Sequence, residues 1–191
     1  MIPELETDRL RLRAFAGADL EPFAELNADP EVMEHFPARL TRQESDAFAG
    51  RIARRWTEDG HGLWAVERLA DGAFLGFTGI ARLAWLPLPE VGWRFARFAW
   101  GHGYATEAAR EALRWGFEEG DFAEIVSVTT IANERSQAVM RRLGMTRDPA
   151  DDFLHPNLPD GHPLRPHVLY RLSRDGWEEL MEQEPLVRQQ G

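Results

Sequence analysis

The chain has 191 residues, 43% hydrophobic and 28% charged, which suits one domain of ordinary size with a sizeable core. Its formal net charge of −10 repels a nucleic-acid backbone unless the cations gather on one face, so no nucleic-acid partner is expected. Cysteine is absent, which excludes disulfides, thiolate zinc sites and a cysteine nucleophile, and no window reaches the roughly 18 unbroken apolar residues of a membrane span.

Met1 to Glu6 carries neither a basic patch nor a long apolar stretch, so a cytoplasmic protein without a secretory signal is expected. From Glu6 to Phe15 apolar and charged residues alternate, Leu10 and Leu12 against Arg9, Arg11 and Arg13, as in a half-exposed strand. Asp19 to Asn27 places Leu20, Phe23, Ala24 and Leu26 at helical spacing, and Asp29-Pro30 starts another short turn or helix. Thr41 and Glu44 form a capping box for a helix running to about Trp56, with Phe48, Ile52 and Trp56 spaced by four; Asp59-Gly60-His61-Gly62 ends it. Two strands, Leu63 to Leu69 and Phe74 to Leu83, are joined through Asp71-Gly72, a hairpin signal. Glu90 to Phe95 reads as a further strand, and a helix follows from about Ala105 to Glu118. Ile125 to Ile131 is a β-branched run that predicts a buried strand. Glu134 to Leu143 is a helix with Gly144 at its left-handed end, Val168 to Leu172 a last strand and Arg174 to Glu184 a terminal helix. The order predicts a mixed α/β or α+β domain.

Between the fourth strand and its helix lies WGHGYATEA, residues 100–108. The first turn of a helix has N–H groups without internal partners and the positive end of the helix dipole. With Gly101 and Gly103 keeping the approach clear, those groups can cradle a phosphate, and Thr106 adds a hydroxyl. The same glycines also suit a plain strand-to-helix turn. A dinucleotide fingerprint fails because Thr106 stands where the third glycine belongs, which argues against a nicotinamide- or flavin-dependent oxidoreductase. A Walker loop needs a lysine, and all 22 basic residues are arginine.

EVGWRFARFAWGHGYATEAAREALRWGF, followed by NERSQAVMRRLGM, resembles the acetyl-coenzyme-A-binding half of the GNAT N-acetyltransferases, in particular their RimJ/RimL-type branch. Trp100, Gly103 and Ala105 meet the family's Q/R-x-x-G-x-G/A pattern, with Trp100 in place of Gln or Arg at a position that works largely through its backbone. Asn133, Ser136 and Leu143-Gly144-Met145 meet the second motif. ETDRLRLRAF and DGAFLGFTGI fall where the branch has similar segments, so the likeness runs from about residue 6 to 173.

That resemblance implies a GNAT fold: a central mixed, mostly antiparallel sheet, splayed between its fourth and fifth strands (Glu90–Phe95 and Ile125–Ile131), with helices on both faces. It implies one domain over residues 1–191, with 90–145 as the acetyl-CoA-binding core and the early helices (about 19–56) and loop 148–167 forming the acceptor site. Backbone groups at Phe95 and Ala96 would pair with the pantetheine, one N–H polarising the thioester carbonyl. Trp100, Gly101, His102, Gly103, Tyr104, Ala105 and Thr106 would hold the pyrophosphate. Asn133 would hydrogen-bond the pantetheine, and Arg141, Arg142 and Arg147 would either reach the cofactor's phosphates or simply be solvated.

Acyl transfer to an amine needs a base, a polarised carbonyl and an acid for the departing thiolate. Ser136 is the candidate acid by its match to the second motif, since no tyrosine stands at Ala138-Val139-Met140; capping its helix is its other possible use. Glu90 leads for the base, with His155 and Asp152 as rivals. His155, His162 and His167 fit no compact metal-ligand spacing, so no metal is expected. The acceptor wall would include His35, Phe36 and Trp64, with Trp85 near; Trp56, Trp93 and Trp115 are assigned to packing. The expected activity is transfer of acetyl from acetyl-CoA to a small-molecule amine or protein N-terminus by direct attack, by a monomer or homodimer. The competing possibility is a catalytically weak acyl-CoA sensor of the same fold.

Overall fold

The computed structural model describes residues 2–188, residues 184–188 by backbone alone. The first half runs β1 (Leu5–Glu6), β2 (Leu10–Arg13), α1 (Leu20–Ala28), α2 (Arg42–Asp59), β3 (Leu63–Arg68), β4 (Phe74–Arg82) and β5 (Pro89–Phe95). Then follow α3 (Tyr104–Glu118), β6 (Glu124–Thr130), α4 (Glu134–Arg142), β7 (Thr146–Arg147), β8 (Phe153–Leu154), β9 (Pro166–Ser173) and α5 (Arg174–Arg188). Among the described residues no helix is long and apolar enough to cross a membrane.

Local chemistry accounts for the boundaries. Thr41 accepts from the Glu44 N–H and the Glu44 carboxylate accepts from the Thr41 N–H at 2.7 Å, so α2 starts on the expected capping box and ends at Gly60, with φ +73°. At the β3–β4 turn Arg68 forks onto Asp71 and Gly72 takes φ +72°. Gly144 closes α4 at φ +78°. Two expectations become more definite. Asp29-Pro30 opens turns, not a helix, because the Asp29 carboxylate accepts from the N–H groups of Glu31 and Val32 in place of a helical ladder. The 148–167 segment contains a short 3₁₀ turn at Pro149–Asp151 and the two-residue β8, which pairs with β9. Strands of two residues leave too little period-2 pattern to be read from sequence.

The sheet order is β1-β2-β3-β4-β5-β6-β9-β7, with β8 also on β9. Every pairing is antiparallel except β5 with β6, which is parallel and meets at one pair, Glu90 opposite Val126. The sheet is therefore mixed and mostly antiparallel, as the family resemblance implies, and it parts between these two strands. Ala96 donates to Leu75 O at 2.9 Å. Because an antiparallel strand alternates its bonding direction, the backbone groups of Phe95 then point away from β4, into the parting.

Helices cover both faces. Phe77 of β4 meets Phe23 of α1 and Phe48 of α2, with ring centroids 5.7 and 5.8 Å apart. Ile80, on the opposite face of β4, lies so close to Gly116 of α3 that a Cβ there would sit 2.4 Å from its methyl group. Small residues on the inner face of α3 (Ala108, Ala109, Ala112), all fully buried, permit that approach. Phe23 is fully buried among Phe15, Phe48, Phe74 and Phe77 and ties α1 to the sheet. Phe23→Ala is expected to lower the stability measured by urea unfolding by about 3–5 kcal/mol, the usual range for truncating a buried ring.

Candidate active site

The helix that follows the parting strand starts without a cap. Gly103 stands at the N-cap of α3, no side chain accepts from its first turn, and the first intrahelical bond is made by Glu107 N–H to Gly103 O. Tyr104, Ala105 and Thr106 thus present N–H groups with the helix dipole behind them. Gly101 and Gly103 have φ of +78° and +81°, a left-handed region that disfavours any side chain. A Cβ on Gly101 would meet nothing within 4 Å, and one on Gly103 would meet only the Arg9 guanidinium at 3.5 Å. Conformation, not crowding by the protein, requires both glycines, and the space before the helix end stays open. Such donors suit an anionic group such as a phosphate.

Arg9, ninety-odd residues away in sequence, holds the loop in place. Its Nε donates to Glu107 at 2.7 Å, its Nη1 to His102 O at 3.0 Å, and its guanidinium lies 4.7 Å from the Tyr104 ring centre. The spacing of motifs in the sequence carried no signal of this. His102 departs from its expected role: its carbonyl is engaged by Arg9, its ring stacks on Tyr104, and it does not line the cavity. Of the three arginines expected near phosphate, Arg142 lines the cavity, Arg141 donates to the Tyr170 hydroxyl and Arg147 pairs with Asp152. Arg135, unexpected from sequence, also lines it, 4.7 Å above the Trp100 ring.

At the strand edge the expectations divide. The Phe95 carbonyl is taken by the Trp100 indole N–H at 2.8 Å, leaving the Phe95 N–H as its group toward the cleft. Ala96 is corrected: its N–H donates to Leu75 O and its carbonyl accepts from Ala99 N–H, so neither group remains for a ligand.

One cavity of about 1640 Å3 runs from this loop to the point where β5 and β6 touch. Glu90 lies there, beside Val126, and burial pushes its carboxyl up from 4.5 to about 7, against the stabilising influence of the Val128 backbone amide. From the β6–α4 side, Ser136 lines the same cavity. Asn133, not Ser136, caps α4: its Oδ1 accepts from the Ser136 N–H at 3.1 Å and its Nδ2 donates to Thr129 at 3.0 Å. The cap leaves the Ser136 hydroxyl without a hydrogen-bond partner among the described residues, while much of the Asn133 amide is committed to the protein.

The far wall is formed by His35 and Phe36, from the turns after α1, and by His155. Burial lowers the His155 imidazole below its usual value; the ring packs 4.6 Å from Trp85 and 4.9 Å from His167. Trp64 is corrected. It is fully buried between Trp56 and Trp115, its indole donating to Pro3 O at 2.8 Å, and alternation along β3 turns Leu63 to the cavity instead. Trp93, assigned to packing, lines the cavity, whereas Trp56 and Trp115 are core. Asp152 drops out as a base because Arg147 forks onto it and holds its carboxyl below the usual range, away from the cavity. No group of three or more His, Asp or Glu side chains among the described residues is placed to hold a metal ion. Arg94, which the sequence reading passed over, also lines the cavity.

Residues 9–146 match the family model described as Acetyltransferase (GNAT) domain. The chain is 34% identical over 145 residues to the uncharacterized protein YkkB of Bacillus subtilis, covering 74% of this chain and 84% of that one. It is 31% identical to the FsC-acetyl coenzyme A-N(2)-transacetylase of Aspergillus fumigatus, covering 92% of this chain and 78% of that one. Among solved structures, an acetyltransferase of Agrobacterium tumefaciens superposes with a TM-score of 0.76 at 29% identity, covering 90% of this chain and 95% of that one.

The elevated Glu90 value has a consequence for stability. A carboxyl whose folded value exceeds its unfolded one favours folding when protonated; that contribution is complete below about pH 4.5 and is lost as pH rises through 7. Glu90→Gln, neutral throughout, avoids the loss. Thermal melts should therefore show the variant gaining Tm relative to the natural chain between pH 4.5 and 7, the difference levelling off above about pH 8.

Proposed function

The chain belongs to the GNAT acetyltransferases, acyltransferases that take their acetyl group from acetyl-CoA, and from that premise we propose that it acetylates a primary amine by direct attack, with Glu90 and Ser136 as its proton-transfer groups. The observation that carries this reading is the single cavity joining the uncapped end of α3 to Glu90. The printed name of the Aspergillus relative, an N(2)-transacetylase, supports a nitrogen acceptor. The motifs at Trp100–Ala105 and Asn133–Met145 support the RimJ/RimL-type branch.

Acetyl-CoA, when bound, supplies an acyl group activated as a thioester. The N–H groups of Tyr104, Ala105 and Thr106 hold its phosphates, with Arg135 and Arg142 as cations at the same end. The Phe95 N–H, free of the sheet, lies along the path from that end to Glu90 and offers a donor to a carbonyl oxygen. A carboxylate of ordinary value would be a poor base for an ammonium ion. Burial brings Glu90 near neutrality, so it accepts the amine's proton at its carboxylate far more readily. The Ser136 hydroxyl, unbonded among the described residues, donates to the leaving sulfur; a thiol near 8.5 is a fair leaving group, so this role is the lesser one.

Calorimetric titration with acetyl-CoA should give saturable binding that Gly103→Trp weakens at least about tenfold while its melting curve stays cooperative. In a thiol-release assay over a panel of amines, Glu90→Gln should lower kcat by about 10²–10³ with acetyl-CoA binding kept, and Ser136→Ala by a smaller factor. Absence of acetyl-CoA binding by the natural chain would overturn the reading.

A further inference from the structure

Arg94 is a half-buried cation without an anion beside it among the described residues. Its Nη1 donates to Asn27 Oδ1, its Nε has no partner, and its guanidinium lies 4.0 Å from the Phe36 ring centre and 5.3 Å from that of Phe77. Many other arginines of the chain face carboxylates: Arg13 meets Asp19, Arg97 meets Asp29, Arg147 meets Asp152 and Arg171 meets Asp151. Among the described residues no carboxylate forms an ion pair with Arg94. Its partner Asn27 is fully buried and fixed from behind by donating to Ser45 of α2 at 2.9 Å, so the guanidinium is placed, not merely tolerated. Desolvation lowers its value to about 10, which still leaves it charged at neutral pH. Two aromatic faces offset part of the cost of that half-buried charge.

Its position gives the charge a use. Glu90, Gly92 and Arg94 share one face of β5 and all line the cavity. At about 3.3 Å per residue, Gly92 lies midway along a span of roughly 13 Å between the other two. A Cβ on Gly92 would meet nothing within 4 Å, so the floor between base and cation is bare. The acidic groups at this rim do not compete: Glu31 is held by Arg97 and Glu34 lies near His35, pointing to solvent. Phe36, Phe48, Ile52 and Phe77 give the surroundings an apolar character.

We propose that Arg94 recognises a carboxylate carried by the acetyl acceptor, so that the amine presented over Gly92 to Glu90 belongs to an amino acid or a similar carboxylate-bearing amine. The guanidinium fork matches a carboxylate in two-pronged contact, and the bound anion supplies the counter-charge that the fold withholds. The inference rests on the acetyltransferase reading of the cavity and narrows it from any amine to one chemical class.

The test is a set of matched acceptors: L-phenylalanine, L-leucine and 6-aminohexanoate, each against its carboxamide, by thiol release with the natural chain, Arg94→Met and Arg94→Lys. For at least one pair the natural chain should prefer the carboxylate at least about tenfold in kcat/KM, the loss expected when a charge-assisted contact is withheld. Arg94→Met should bring that ratio to within about twofold of unity, and Arg94→Lys should restore part of it. A natural chain that acetylates the carboxamides as well as or better than every carboxylate overturns the role of Arg94 and leaves the acetyltransferase reading intact. So does an Arg94→Met variant that keeps the ratio while losing rate on both members, since that is the behaviour of a guanidinium that only props Phe36. No transfer to any member, with acetyl-CoA bound and transfer to another amine of the wider panel, overturns the role of Arg94 and leaves the acetyltransferase reading intact.

Discussion

The parting of β5 from β6 is the constraint from which the site follows. Two neighbouring strands in a sheet ordinarily satisfy each other's backbone along their whole length, and here they meet at one residue pair. Beyond Glu90 and Val126 the inner edge of β5 must find other partners or keep its groups available. The structure does both. The Trp100 indole takes the Phe95 carbonyl, and the Phe95 N–H remains along the cavity. The chain then turns through two left-handed glycines into a helix whose first N–H groups are likewise uncapped. Strand edge and helix end thus both leave backbone donors uncommitted along one cavity.

Such a surface has to be held open against collapse. Arg9 does this at the helix end by binding Glu107 and the His102 carbonyl. At the other end the aromatic cluster around Phe23 fixes α1 and α2 over the sheet, and Asn27 and Ser45 anchor the wall behind Arg94. Aromatic packing thus lies behind the cavity, while the Ser136 hydroxyl and the Arg94 charge, which face it, are left without a hydrogen-bond partner and without a counter-ion among the described residues.

That shortage shows in the electrostatics. Glu90 is held near neutrality by burial, Arg94 is charged without a counter-ion, and His155 is kept toward its neutral form. Each would be more comfortable in solvent or beside an opposite charge. Their collection around one cavity, while most other charged residues are paired, marks where the protein's stability is traded for chemistry.

What was legible in the sequence was local. The Thr41–Glu44 capping box, the Asp71-Gly72 hairpin, the glycines before α3 and the helical and alternating patterns each depend on residues within a few positions of one another. They placed every long element, and two spaced motifs pointed to the family. The details of the site were set otherwise. Whether Leu63 or Trp64 faces the cavity depends on which face of β3 the helices cover, and both residues are apolar enough to fit either side. Ala96 lost its expected role because β4 claims its N–H, and Asp152 because Arg147 claims its carboxylate. Arg9 reached the glycine loop before α3 from the other end of the domain, and Arg94 was invisible because its distinction is a missing counter-ion, which no spacing records. The sequence by itself determined the elements and the chemistry available to them, since these follow from neighbours along the chain. Only the tertiary structure decided which groups were satisfied and which were left facing the cavity, because hydrogen bonding and desolvation depend on residues that folding alone brings together.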